Sequence, residues 1–264
     1  MLPDFFANFD QLSRVMLSVV FVLIAAAVSR WQHADLERDH AIATVRSFIQ
    51  LILIGYALEL IFNQDNPIFI VLVLAIMITI AAHTSSRRVK HLPAARRIAL
   101  IAIAAAALFT VGTLLLLGVF KFVAQDVIPI GGMIIGNTMN VTTLVMTRLY
   151  DDLLGQRLVI ESKLALGATS RQASQTQFRR ALRSAMTPMI DTTKNVGLIT
   201  LPGAMTGMIL AGASPLLAVQ LQFVVMYMLI GATTFAGLIA AYLTYQQFFT
   251  PEHQLRFASE NEKS

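Results

Sequence analysis

Seven stretches of the chain are predominantly apolar: 12–29, 42–61, 67–82, 98–119, 127–146, 195–212 and 216–243. A helix that crosses the hydrocarbon core needs about 20 such residues. The pattern therefore predicts an all-α, polytopic membrane protein of about seven transmembrane helices, built as one membrane domain over residues 1–264. Between the fifth and sixth stretches the pattern changes. Residues 147–194 are polar, yet Leu154, Leu158, Ala165 and Ala168 recur at helical spacing, as do Phe178, Leu182, Ala185 and Met189. Between these two faces runs ESKLALGATSRQ, residues 161–172. Gly167 suits the left-handed position just past a helix end. Thr169 followed by Gln172 has the spacing of a capping box for a new helix. The stretch reads as helix, glycine bend, capped helix.

Composition sharpens this picture. Hydrophobic residues make up 56% of the chain and charged ones only 13%, so the bilayer is its solvent. The formal net charge is +5, but 18 of the 20 Lys and Arg fall in 30–46, 83–97, 147–194 and after 244. Such asymmetry marks the cytoplasmic side. It places the N-terminus outside and the C-terminus in the cytoplasm, as expected for a multi-pass protein of the inner (plasma) membrane. The positive charge is thus an orientation signal and argues against nucleic acid as a partner. The opening MLPDFFANFD lacks the basic start of a signal peptide, so the first apolar run is expected to remain as an anchor. With no cysteine there is no disulfide, thiolate metal site or redox pair. Three small-residue stripes, Gly132/Gly136/Asn140, Gly203/Gly207/Ala211 and Ala232/Ala236/Ala240, predict close helix packing in the chain or between two copies. Pro202 is expected to kink the sixth span.

Ionisable groups inside a bilayer are expensive and so are functional candidates. Glu59, late in the second span, offers a carboxylate to a cation or reaches the interface. Asn137 and Asn140 share a face of the fifth span and offer amide oxygens to a hard cation, or hydrogen bonds between helices. Asp191 and Lys194 open the sixth span at a spacing that suits a local ion pair and would carry motion from the polar elbow. His33, Glu37 and His40 in HADLERDH fall at i, i+4 and i+7. On a continuous helix they would form a weak divalent-metal site, with Asp35 and Asp39 nearby, or else a solvated linker. Met133, Met139, Met205 and Met208 suit gap-filling better than soft-metal binding. Ser, His and Asp follow no catalytic order, so no enzyme activity is expected, and no cofactor either.

ESKLALGA resembles the cytoplasmic loop of ATP-binding-cassette permeases, in which a Glu six residues before a Gly belongs to a coupling helix. Glu161 and Gly167 keep that spacing, although Ser162 and Lys163 replace two alanines and Thr187-Pro188 lies further on than the usual Leu-Pro. RSFIQLILIGY, IPIGGMIIGNTMN, DTTKNVGLITLPGAMTGMILAGASP and YLTYQQF extend the likeness over most of residues 40–255. They resemble the FetB-type permeases, a family proposed to export iron that includes plant aluminium-tolerance membrane proteins. The resemblance implies a permease subunit that pairs with a second copy and is driven by a separate ATP-binding subunit. Plant relatives in the same family point instead to an organic cargo such as a nucleotide sugar. The implied coupling residues are Glu161, Leu164, Leu166, Gly167, Ala168 and Arg171. No G-x-x-x-x-G-K-[ST] loop occurs in the chain, which agrees with a separate motor. Without the resemblance, Lys163, Arg171, Arg179, Arg180 and Arg183 would equally let the elbow rest on anionic lipid.

Overall fold

The computed structural model describes residues 9–62, 66–92 and 94–255, and of 9–16 the backbone alone. The opening residues 1–8, most of the FNQDN turn, Pro93 and the end of the tail lie outside the described residues. The chain parts into two compact units, residues 1–65 and 66–264.

The first unit holds α1 (Phe9–Trp31) and α2 (Glu37–Phe62), which pack against each other. Among the described residues of α1, the stretch Leu17–Trp31 is apolar but short for a span, whereas α2 is long and apolar enough to cross. Ser29 ties the pair together. Its hydroxyl donates to the Glu37 carboxylate at 3.1 Å and accepts from the Leu36 N–H at 3.0 Å.

The second unit is a bundle of α3 (Pro67–Arg88), α4 (Ala95–Leu116), α5 (Ala124–Gly155), α6 (Arg157–Ala165), α7 (Ser170–Asn195), α8 (Gly203–Leu210) and α9 (Pro215–Gln246). Local chemistry sets the helix starts. Asn66 caps α3 by accepting from the Ile68 N–H, with Pro67 in the first turn, where no donor is needed. Ser214 and Pro215 repeat the device at α9. Helices α3, α4, α5 and α9 are long and apolar enough to span. Helix α5 has 32 residues, about 48 Å at 1.5 Å each, well beyond a hydrocarbon core of about 30 Å.

Helix α5 is the hub, packing on α3, α4, α7 and α9. In lipid the backbones must approach closely for dispersion to hold helices together. Ala99, Ala102 and Ala106 of α4 and Ala232, Ala236 and Ala240 of α9 supply fully buried small faces. Gly237 packs so tightly that an added Cβ would lie 3.0 Å from Leu182 Cδ1 and 3.3 Å from Val141 Cγ1. On α5 the closest approach falls at Gly131, against Leu74, while Gly136 faces open space. A buried hydrogen bond of 2.8 Å from Thr143 to Ser85 joins α5 to α3.

One expected span is corrected. Residues 195–212 do not form a helix that crosses. Helix α7 runs on to Asn195, the chain unwinds over 196–202, and only the eight-residue α8 follows. Gly197 adopts a left-handed φ of 82° and its N–H closes a turn onto the Thr200 carbonyl at 2.9 Å. The Asn195 carbonyl accepts from Leu198 and Ile199 at 3.3 and 3.0 Å. Pro202, which has no donor, is the N-cap of α8 and not a kink inside a span. The stretch is apolar enough to span but turns back on itself.

Candidate functional site

A cavity of about 500 Å³ opens beside this unwound stretch. Helix α5 contributes Met133, Asn137 and Asn140, and α7 contributes Pro188, Met189 and Thr192. Thr200 and Pro202 of the unwound stretch, with Gly203 and Ala204 of α8, form a third wall, and Gln222, Met226 and Thr233 of α9 a fourth. Non-helical backbone at membrane depth is tolerated where protein covers it or where it lines a cavity. The unwound stretch lines a cavity through Thr200 and Pro202. Pro188, which lines the same space, sits inside α7, where it has no N–H to donate to the carbonyl four residues back.

The polar groups of the wall are amides and hydroxyls, and among the described residues no ionisable side chain lines it. Two of its threonines use their donors locally: Thr192 on the Pro188 carbonyl at 2.8 Å, Thr233 on the Leu229 carbonyl at 2.6 Å. Asn137 likewise donates to the Met133 carbonyl of its own turn at 2.8 Å. Gln222 differs. It is only 6% exposed, and its Oε1 has no hydrogen-bond partner among the described residues. An unsatisfied buried acceptor costs about 1–3 kcal/mol, so its place at a cavity wall is notable. Sequence reasoning passed over Gln222 because a single glutamine in an apolar helix carries no pattern.

The other sequence candidates scatter. Glu59 lies exposed on α2 in the first unit. Asp191 and Lys194 do not open a span but close α7, both exposed, and no ion pair joins them among the described residues. Lys194 there complements the negative end of the helix. The metal cluster His33, Glu37 and His40 is also corrected. Helix α1 stops at Trp31 and α2 begins at Glu37, so His33 sits in the link with φ 52° and is out of register with the other two. Among the described residues no group of three His, Asp or Glu side chains is placed to hold a metal.

The elbow forms as the spacing predicts. Helix α6 ends at Ala165, and Gly167 takes a left-handed φ of 88°. The Gly167 N–H bonds to the Leu164 carbonyl and the Ala168 N–H to that of Lys163, at 2.9 and 3.1 Å, which satisfies two orphan carbonyls of the helix end. Thr169 and Gln172 then make a reciprocal capping box. Ile160 is fully buried beneath the elbow, while Leu166 projects at its tip with 88% of its surface exposed. Glu161 pairs with Arg157 at 2.7 Å, and Leu164 packs inward. Ala168 is half-buried and Arg171 exposed. A partly buried hydrogen bond of 2.7 Å from Gln177 to Gln156 fixes α7 to the joint between α5 and α6.

Among the described residues, five helices long and apolar enough to cross a membrane, with a broken segment beside a polar-dotted cavity, define a multi-pass helical membrane protein. The chain belongs to the family described as Uncharacterised protein family (UPF0014), whose pattern matches residues 12–249. It is 43% identical over 260 residues to "Protein ALUMINUM SENSITIVE 3" of Arabidopsis thaliana, covering 96% of this chain and 95% of that protein. It is 44% identical over 258 residues to "UPF0014 membrane protein STAR2" of Oryza sativa subsp. japonica, covering 97% and 90%. It is 37% identical over 239 residues to "Probable iron export permease protein FetB" of Escherichia coli (strain K12), covering 90% and 92%. No solved structure matches the chain.

Proposed function

We propose that this chain is the membrane-spanning subunit of an ATP-driven exporter of iron or another metal ion, working as a pair of copies with a separate ATP-binding subunit. It sits in the inner membrane with its C-terminus and the 147–194 elbow in the cytoplasm. The observation that carries the reading is the pairing of a cavity at a helix break with a rigid elbow whose tip presents bare leucine. A helical knob of this kind suits a groove on a soluble partner. Closure of two ATP-binding partners would push Glu161–Arg171. The push would pass through Gln177 and Gln156 into α5 and α7, two walls of the cavity, and so switch the side from which the cavity is open. The chain itself catalyses no reaction.

The uncharged wall favours a second reading of the cargo. A bare divalent ion in a low-dielectric cavity needs compensating charge. Amides, hydroxyls and thioethers suit an uncharged, hydrogen-bonding organic molecule without it. ATPase activity stimulated by iron alone would support the first reading, and stimulation by an organic solute alone the second.

The deciding experiment is affinity purification of the tagged chain from native membranes, with a Glu161→Ala/Gly167→Pro double variant as control. Recovery of an ATP-binding subunit with wild type and its loss with the variant is the expected result. If no such subunit is recovered under gentle detergent, the motor-driven reading falls, and a gradient-driven transporter or a scaffold replaces it.

A further inference from the structure

Beyond the end of α9 the chain folds back on itself. The Thr250 N–H bonds to the Gln254 carbonyl at 2.9 Å, the Gln254 N–H to the Thr250 hydroxyl at 3.2 Å, and Phe249 bridges to Leu255. The loop is anchored to the bundle. Phe248 is 4% exposed and its ring lies 5.6 Å from that of Tyr150 on α5, while Phe249 packs on Tyr245 at 5.0 Å. At the loop's turn His253 holds a left-handed φ of 62°. That conformation is uncommon for a residue with a Cβ and points to a local requirement.

The requirement is visible in what His253 touches. Its Nδ1 accepts from the Ser170 backbone N–H at 3.4 Å and stands 2.9 Å from the Ser170 hydroxyl. Ser170 is 2% exposed and is the first residue of α7, directly after the Gly167 bend and the Thr169 cap. Tyr245 of α9 reaches the same serine. The first N–H groups of a helix have no partner inside it. Thr169 and Gln172 supply one pair of hydrogen bonds here, and the tail supplies another from 83 residues away.

We propose that the C-terminal loop is a clamp and His253 a positioning residue, which sets the angle at which α7 leaves the elbow. This rests on the reading of the elbow as a docking knob. A knob hinged on one glycine keeps its pitch only if both arms are held. Helix α6 is seated by Ile160, and the first turn of α7 is held by His253. Motion imposed at the knob is then passed along α7 and not absorbed at the bend.

Two substitutions separate the hydrogen bond from the backbone strain. His253→Gly relieves the left-handed φ but deletes the acceptor. His253→Asn tolerates that φ, and its Oδ1 stands the same number of bonds from the backbone as Nδ1 does. Full-length chain in nanodiscs would be followed by amide hydrogen exchange at Ser170–Ala173, and retention of the ATP-binding subunit would be measured in native-membrane pull-downs. We expect exchange about five- to tenfold faster in His253→Gly, as loss of one net hydrogen bond implies, with retention down several-fold. His253→Asn is expected to return both to near wild type. Unchanged exchange in His253→Gly would overturn the clamp, and so would faster exchange with full retention. If wild type retains no ATP-binding subunit, the proposed function fails separately, and the exchange result alone decides whether the clamp exists.

Discussion

Two stretches of this chain carry nearly the same sequence device and put it to opposite use. Ala232, Ala236 and Ala240 on α9 repeat small residues every fourth position, and so do Gly203, Gly207 and Ala211. The first set is fully buried against its neighbours. At Gly203 and Gly207 an added Cβ would meet nothing within 4 Å. Small side chains permit close approach but do not cause it. On α9 an unbroken helix of 32 residues brings the stripe against α4 and α5 along its length. In the other stretch Gly197 and Pro202 end the long helix, and the stripe falls on the eight-residue α8 and its C-cap. A shared spacing thus gives a sealed core in one place and an open, cavity-lining break in the other.

Filling the two stripes separates them most sharply. Ala236→Leu forces a branched side chain into a fully buried site. It should cost about 1–3 kcal/mol or prevent folding outright, read as loss of thermal stability and of monodisperse protein in detergent. Gly207→Leu should leave both unchanged. Equal damage from the two would show that the second stripe is packed after all.

The next largest effect concerns the break itself. Gly197→Ala with Pro202→Ala removes the left-handed residue and supplies the missing donor, so the stretch can wind on from α7. On the proposed function, transport in proteoliposomes containing the ATP-binding subunit should fall at least tenfold while insertion is kept. Transport at the wild-type rate would mean that the break is incidental.

The effect of Gln222→Leu should be smaller and of mixed sign. Removing a buried acceptor that has no donor should raise stability by up to about 1 kcal/mol, whereas transport should drop if cargo supplies the missing donor. Thermal unfolding and uptake measured on one preparation test both signs together. The smallest effect is expected from Arg157→Ala, because an exposed i,i+4 pair with Glu161 is worth about 0.3–0.5 kcal/mol. A change in thermal stability beyond that range would give the elbow pair a role in folding.

Much of the bundle was legible because long apolar runs have few alternatives in lipid. The observed α2, α3, α4, α5 and α9 begin or end within a few residues of the predicted spans, apart from the polar extension of α5 to Gly155. The elbow was legible for a different reason. Glycine at a helix end and a Thr/Gln box are local chemistry, complete within a dozen residues. What the sequence hid was non-local. Hydropathy counts residues 195–212 as a span because a turn onto Thr200 costs no apolar residue. HADLERDH scans as one helical face because its spacing cannot reveal that α1 ends at Trp31. Gln222 and His253 matter only through residues far along the chain.

Leu166 carries one more consequence. A leucine almost wholly bare, on a bend stiffened by its own hydrogen bonds, cannot retract into the fold. Covering it is worth about 1.5–3 kcal/mol, so whatever lacks a cover there stays adhesive. On the proposed function, a copy made in excess of its ATP-binding partner would advertise that fact at the membrane surface. The same leucine that would complete the assembly would then mark an orphan for proteases and chaperones, tying the abundance of this chain to that of its proposed mate.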